Sequence, residues 1–230
     1  MIPFSNQAGA RAKTGRTLMS TFIAQDQFPC VGAKSALNKD RMRFGSYAAL
    51  GDRHAARELC EDLRRFAAEF PNPGMVPVSF VATFASADID EAQFEALIWR
   101  HLQAMHDQDR QNFAWDASVS ADPAHHDFSF SIAQRAFFVV GLHPAASRLA
   151  RRAPVACLVF NFHNQFQALK EVGKFAAMQM AIRNRDTALQ GSLNPVLARF
   201  GDASEARQYS GRAVSEHWRC PFHAGRAANE

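Results

Sequence analysis

The 230-residue chain contains none of the short signatures that mark the common cofactor and nucleophile folds. It has no GxGxxG and no GxxxxGK[ST], which excludes the glycine-cradled dinucleotide and P-loop phosphate sites. The absence of GxSxG removes the elbow serine, and the absence of HExxH removes the zinc-protease helix. Cysteine is scarce and scattered: Cys30, Cys60, Cys157 and Cys220 form no CxxC, so a disulfide framework is not encoded and a reducing compartment follows. Lysine is rare, 5 against 21 arginines, and the net charge of +4 is spread without a basic run. A dedicated nucleic-acid surface needs such a run or face, so none is expected. No stretch reaches about eighteen apolar residues, and MIPFSNQAGARAKTGR lacks a continuous apolar leader segment. The expectation is a protein without a membrane anchor, soluble and cytoplasmic.

What the chain does have is apolar bulk: 47% hydrophobic residues and 20 phenylalanines, enough for one sizeable core. No Pro/Gly/Ser-rich linker divides it, so it reads as one domain over residues 17–230 behind a flexible arm, 1–16. A short helix is predicted from Thr17 to Phe28, ended by Pro29. A strand follows over 41–47. Residues 53–70 are a strong amphipathic helix, with Leu59, Leu63, Phe66 and Phe70 on one stripe. VPVSFVATFA reads as a strand, and Asp88 or Ser86 is expected to cap a second helix carrying His101 and His106. After a polar connection holding Trp115 and Asp116, FSFSI and RAFFVVGL form a hairpin about the dipeptide AQ. Another strand follows, then a helix over 165–186 and a short one over 195–200. Strands and helices without regular βαβ alternation predict an α+β fold, a largely antiparallel sheet flanked by helices.

The segment 136–166 holds two apolar runs, each ending in a histidine, His143 and His163. A polar side chain at the end of a doubly buried strand is costly unless it is used or satisfied, so the pair marks the rim of a candidate site. The turn after His143 carries Ser147, Arg148, Arg151 and Arg152, enough guanidinium to hold an anionic ligand. Cys30, in FPCVG, reads either as a thiolate ligand or as a small buried residue. His217, Cys220 and His223 form an HxxCxxH cluster with metal-donor types, but a tail anchored by Trp218 and Phe222 is the favoured reading.

The blocks FPCVGAKSALNKDRMRFG, WDASVSADP, FSFSIAQRAFFVVGLHPAASRLARR, LVFNFHNQFQALKEVGKFAAMQMAIRNRD, LQGSLNPVLARFGDASEARQYSGR and WRCPF resemble the YqcI/YcgG-type family from about Phe28 to Phe222. That resemblance implies haem: members include haem proteins that hydroxylate nitrogen in natural-product biosynthesis, such as the arginine hydroxylase of D-cycloserine formation and the guanitoxin-pathway N-hydroxylase. It implies a monooxygenase acting on an amine or guanidine nitrogen of an amino-acid-like substrate, with O2 or peroxide and a separate electron donor, because no flavin or nicotinamide motif is present. A haem b needs an axial donor, apolar walls and cations for its propionates. His143 or His163 is the expected iron ligand, with Cys30 and His106 in reserve and Ser147, Arg148, Arg151 and Arg152 around the propionates. Glu205, Arg207, Asp116 and Asp186 are candidates for gripping substrate. Two other classes stay open: a haem carrier or sensor without turnover, and a non-haem iron enzyme using His143, His163 and a carboxylate as a facial triad. Assembly is left open between monomer and homodimer.

Overall fold

A mixed sheet of five strands forms the middle of three layers, in a computed structural model that describes residues 9–85, 88–192 and 204–225. In chain order the elements are α1 (Gly9–Ala24), α2 (Val31–Asn38), β1 (Met42–Tyr47), α3 (Arg53–Glu69), β2 (Ser79–Phe84) and α4 (Glu91–Asp109). Then come β3 (Phe130–Ile132), β4 (Arg135–Leu142), a 3-10 turn at Leu149–Arg151, β5 (Cys157–Phe162), α5 (His163–Glu171), α6 (Phe175–Gln190) and α7 (Ala206–Tyr209). The strand order is β1-β2-β5-β4-β3. Every neighbouring pair is antiparallel except β1 and β2, which run parallel and are joined through α3.

The α+β reading holds, with one parallel pair that the sequence did not announce. Alternation along each strand splits the sheet's two faces. Phe80, Phe137, Phe160 and Phe162 turn toward α3 and α4, where Phe66 stacks on Phe162 with ring centroids 4.8 Å apart and planes 9° apart. Burying a Phe of this kind contributes roughly 1.5–3 kcal/mol, so this face dominates the core. Met42, Val81, Leu142 and Cys157 turn the other way, toward Met19 and Ile23 of α1 and Ala36 of α2.

Several boundaries move. The first helix, expected from Thr17 to Phe28, runs from Gly9 to Ala24; residues 1–8 of the expected arm lie outside the described residues. Asp90, not Asp88 or Ser86, caps α4: its carboxylate accepts the Gln93 N–H while the Gln93 side chain accepts the Asp90 N–H, a reciprocal capping box. The single helix expected over 165–186 is two, broken where Gly173 takes φ +68° after the α5 C-terminus. Ala133 and Gln134 make the two-residue hairpin turn with both φ positive, 53° and 58°. That is the primed geometry whose twist matches its strands, here without the Asn or Gly that adopts it cheaply. The helix expected over 195–200 lies outside the described residues.

Candidate ligand cavity

A cavity of about 260 Å³ opens between the second sheet face and the layer formed by α1, α2, α5 and α6. It sits just under the roughly 300–1,000 Å³ usual for small-molecule sites. Val140, Val159 and Phe138 form its floor, Met178 and Ile182 of α6 its cover.

Its polar groups are few and mostly committed. Gln165 donates to the carbonyls of Gly74 and Val76, both at 2.7 Å, and accepts the Val78 N–H at 3.0 Å. Asn161 accepts from Ser79 Oγ at 2.7 Å. These bonds turn two amide side chains into wall rather than ligand-binding groups, since a satisfied polar group has little to offer a second partner. Arg148 meets Asp186 at 2.5 Å and donates to the Ser192 carbonyl at 2.8 Å. Arg151 donates to the carbonyls of Gly141 at 2.8 Å and Gln208 at 3.2 Å. Burial pulls Arg151 down to about 10, with Asp186, Cys30 and Cys157 opposing, so the cation persists at neutral pH.

Cys30 supplies a thiol to the cavity lining, beside the thioethers of Met19 and Met178. Pro29 forces the preceding residue out of the helical region, and Cys30 itself is extended at φ −76°, ψ 99°, standing as the N-cap of α2. Its Sγ accepts the Ala33 N–H at 3.4 Å, in the role usually taken by Ser, Thr, Asp or Asn. Burial raises the thiol's pKa; the Ala33 and Gly32 N–H groups and the Arg151 guanidinium pull against it. A sulfur at a helix N-terminus beside an arginine is the setting in which a thiolate is favoured once a cation or metal approaches.

The other sequence candidates fall elsewhere. Both histidines do follow directly on their strands, but neither lines the cavity. His143 stacks on Phe94 at 4.2 Å near the α4 N-terminus, and burial lowers its pKa. His163 begins α5 with Nδ1 3.3 Å from Glu205 Oε1, a buried pair. The buried Glu205 also accepts from Ser129 at 3.0 Å, and burial raises its pKa. His106 bonds the Ala224 carbonyl at 2.6 Å and packs edge-on against Trp115 and Phe222, away from the cavity.

Of the proposed anion-binding turn, Arg148 and Arg151 line the cavity, whereas Ser147 and Arg152 are exposed on its outer side. Ser147 bonds Glu91, and Arg152 donates to the Ala146 carbonyl at 2.9 Å. Asp116 accepts the Ala136 N–H of the hairpin, and Arg207 donates to the Ser215 carbonyl with its guanidinium over the Trp218 ring; neither lines the cavity, whereas Asp186 does. The HxxCxxH residues do not gather. Among the described residues only the exposed His125, His126 and Asp127 bring three metal-donor atoms together. Phe222 is fully buried and Trp218 packs beside it, as the tail-anchor reading expects.

The fold is α+β, with an internal, largely apolar cavity. The chain belongs to the YqcI/YcgG family, whose model matches residues 19–223. It is 26% identical over 207 residues to the uncharacterized protein YcgG of Bacillus subtilis (strain 168), covering 86% of this chain and 81% of that one. It is 24% identical over 209 residues to the uncharacterized protein YqcI of the same organism, with the same coverage. No solved structure matches. Among the described residues no helix is long and apolar enough to cross a membrane.

Proposed function

We propose that the chain is a haem-dependent N-oxygenase whose haem occupies this cavity, with Cys30 in place of either histidine as the iron ligand. The observation that carries the reading is the donor set on one wall: a lone thiol at a helix N-terminus with Arg151 beside it, in an otherwise apolar chamber. These residues fit the group's needs for an axial donor, apolar faces and cations for two propionates. A bound haem supplies iron that activates dioxygen or peroxide for insertion of one oxygen at nitrogen, and a thiolate donor favours O–O cleavage.

The chain's own residues then have definable tasks. Cys30 Sγ would ligate the iron, with the Ala33 N–H holding the sulfur's charge. Arg151 and Arg148 would turn to the propionates only by giving up bonds they now make, to the Gly141 and Gln208 carbonyls and to Asp186. Phe138, Val140 and Val159 exclude water from the reacting face. An amine or guanidine substrate of amino-acid type and a separate electron donor complete the proposal. The facial-triad alternative has less support, because His143, His163 and a carboxylate form no three-donor group among the described residues.

Absorption spectra of protein purified from haem-supplemented cells test this directly. A Soret band is expected, with the red-shifted ferrous carbonyl band of thiolate ligation; Cys30→Ser should lose that signature while His143→Ala and His163→Ala keep it. No haem in any preparation would sink the proposal, and an unchanged spectrum in Cys30→Ser would remove Cys30. Turnover with amines and guanidines, read as a mass gain of one oxygen, separates the enzyme from a carrier or sensor.

A further inference from the structure

The chain has three tryptophans and two tyrosines, and two of those tryptophans with one of the tyrosines form a continuous stack from the cavity wall to the surface. Phe138, which lines the cavity, meets the Tyr209 ring edge-on at 5.9 Å. Tyr209 stacks on Trp99 at 5.6 Å with planes 19° apart. Trp99 in turn lies 6.1 Å from Trp218, which is partly exposed on the C-terminal strap. Each step falls within the contact range of packed aromatic rings, about 4.5–7 Å.

The polar end of Tyr209 is equally specific. Its hydroxyl accepts the Phe130 N–H at 3.1 Å and can donate to the Phe137 carbonyl at 3.3 Å or to Glu205 Oε2 at 3.5 Å, of which only the carboxylate can take up a proton; the other Glu205 oxygen faces His163. Thus the buried Glu205–His163 pair, which the cavity does not use, sits where a phenolic proton would go. Tyr47 has no such path: it lies on the far side of the core against Phe84, with its hydroxyl on Asp62 at 2.7 Å.

We propose that Tyr209, Trp99 and Trp218 form an electron relay between the cavity and the surface, with Glu205 as the proton acceptor of Tyr209. A one-electron oxidant in the cavity takes an electron from Tyr209, and the phenolic proton passes to Glu205 Oε2. Trp99 refills the tyrosyl radical, which takes its proton back from Glu205; Trp218 refills Trp99, and a soluble one-electron reductant at the surface restores Trp218. The net change is one electron delivered to the cavity oxidant and one lost by the reductant. Such a path drains an oxidant formed without substrate before it damages the walls. Its use in turnover rests on the oxidative reading above; the path itself does not.

The test therefore uses the full chain without added haem. A ruthenium(III) polypyridyl oxidant generated by laser flash in solution oxidises exposed aromatic rings, and transient absorption follows tryptophan and tyrosine radicals. An oxidant in solution drives the same path in reverse, so wild type should show a tryptophan radical decaying as a tyrosyl radical rises. The tyrosyl signal should be lost in Tyr209→Phe and Trp99→Phe, reduced in Trp218→Phe, and retained in Tyr47→Phe and Trp115→Phe. Glu205→Gln should keep the tryptophan radical but lose the neutral tyrosyl signal. Thermal melts of each variant establish that it is folded. No tyrosyl radical in wild type, its persistence without Trp99, or its loss with Tyr47 instead of Tyr209 would overturn the relay. Absence of haem from the purified protein would leave these outcomes readable.

Discussion

Asp186 Oδ2 lies 2.5 Å from Arg148 Nη2, and this pair fastens α6 to the turn that follows β4. Both side chains are almost out of solvent, at 10% and 5% exposure for Arg148 and Asp186. Removing one partner of a buried pair strands the other charge. Asp186→Ala is expected to cost about 3 kcal/mol, read by urea unfolding; a loss under about 1 kcal/mol would mean that Arg148 is satisfied by Ser192 alone.

Acid should destabilise the protein well above the carboxylate range. Burial lowers His101 from 6.5 to about 3, its Nδ1 accepting the Gly51 N–H at 3.1 Å. The native state holds this ring neutral while the unfolded chain protonates it below 6.5. Unfolded chains thus bind more protons, so stability is complete above 6.5 and falls as pH drops toward 3. The full fall from this group is on the order of 4 kcal/mol. His106 and His143, also lowered by burial, act in the same direction. Denaturant midpoints between pH 7 and 4 should show it, and His101→Gln should flatten the slope.

The hairpin turn offers a stabilising change. Ala133 and Gln134 sit at φ 53° and 58°, where an ordinary side chain is strained. Ala133→Asn with Gln134→Gly should add roughly 1–2 kcal/mol, since the Ala133 N–H bond to Asp109 at 2.9 Å needs no side chain. A lower melting temperature in the double variant would contradict the turn geometry.

Gly141 is a packing requirement. A Cβ there would lie 2.6 Å from Ile98 Cδ1 and 2.9 Å from the Tyr209 carbonyl oxygen. Gly141→Ala should cost roughly 1–3 kcal/mol and push α7 off β4, seen as faster amide exchange over residues 206–209.

Much of the fold was legible because periodicity is a local property. The 3.6-residue stripe of α3 and the apolar runs of β4 and β5 were visible from residues close in sequence. Cap positions were less so: Asp88 with Glu91 and Asp90 with Gln93 both have the spacing of a capping box, and only the folded backbone shows that Asp90 and Gln93 form it. The Gly173 break was hidden because a glycine inside a helical pattern is tolerated as often as it terminates one. The parallel pairing of β1 with β2 is a long-range fact with no local mark.

The sequence brought His143 and His163 forward as site candidates, and the structure sets both outside the cavity lining. His143 and His163 stood out because a polar residue after a buried strand needs a partner. Glu205 meets that need for His163, whereas Phe94 only stacks on His143, whose buried Nδ1 has no hydrogen-bond partner among the described residues. Cys30 attracted less weight because a lone cysteine after a proline looks like a small core residue. Its capping of α2 and its nearness to Arg151, some 120 residues on, arise only in three dimensions. Arg148, Arg151 and Asp186, all named as candidates from the sequence, line the cavity; that they share one wall is not visible in a chain that separates them by some 35 residues.

The place of β2 between β1 and β5 has a bearing on how the chain is made. Its six residues are all buried, and one of its edges is completed only by Cys157–Asn161, roughly eighty positions later. During synthesis β1, α3 and β2 therefore emerge as a unit with an open apolar edge that waits for the C-terminal half. Such non-local closure slows folding and exposes an edge strand in the interval. A cut in the polar connection between α4 and β3 would leave two fragments, each holding half of the β2–β5 seam and able to regain it only through the other.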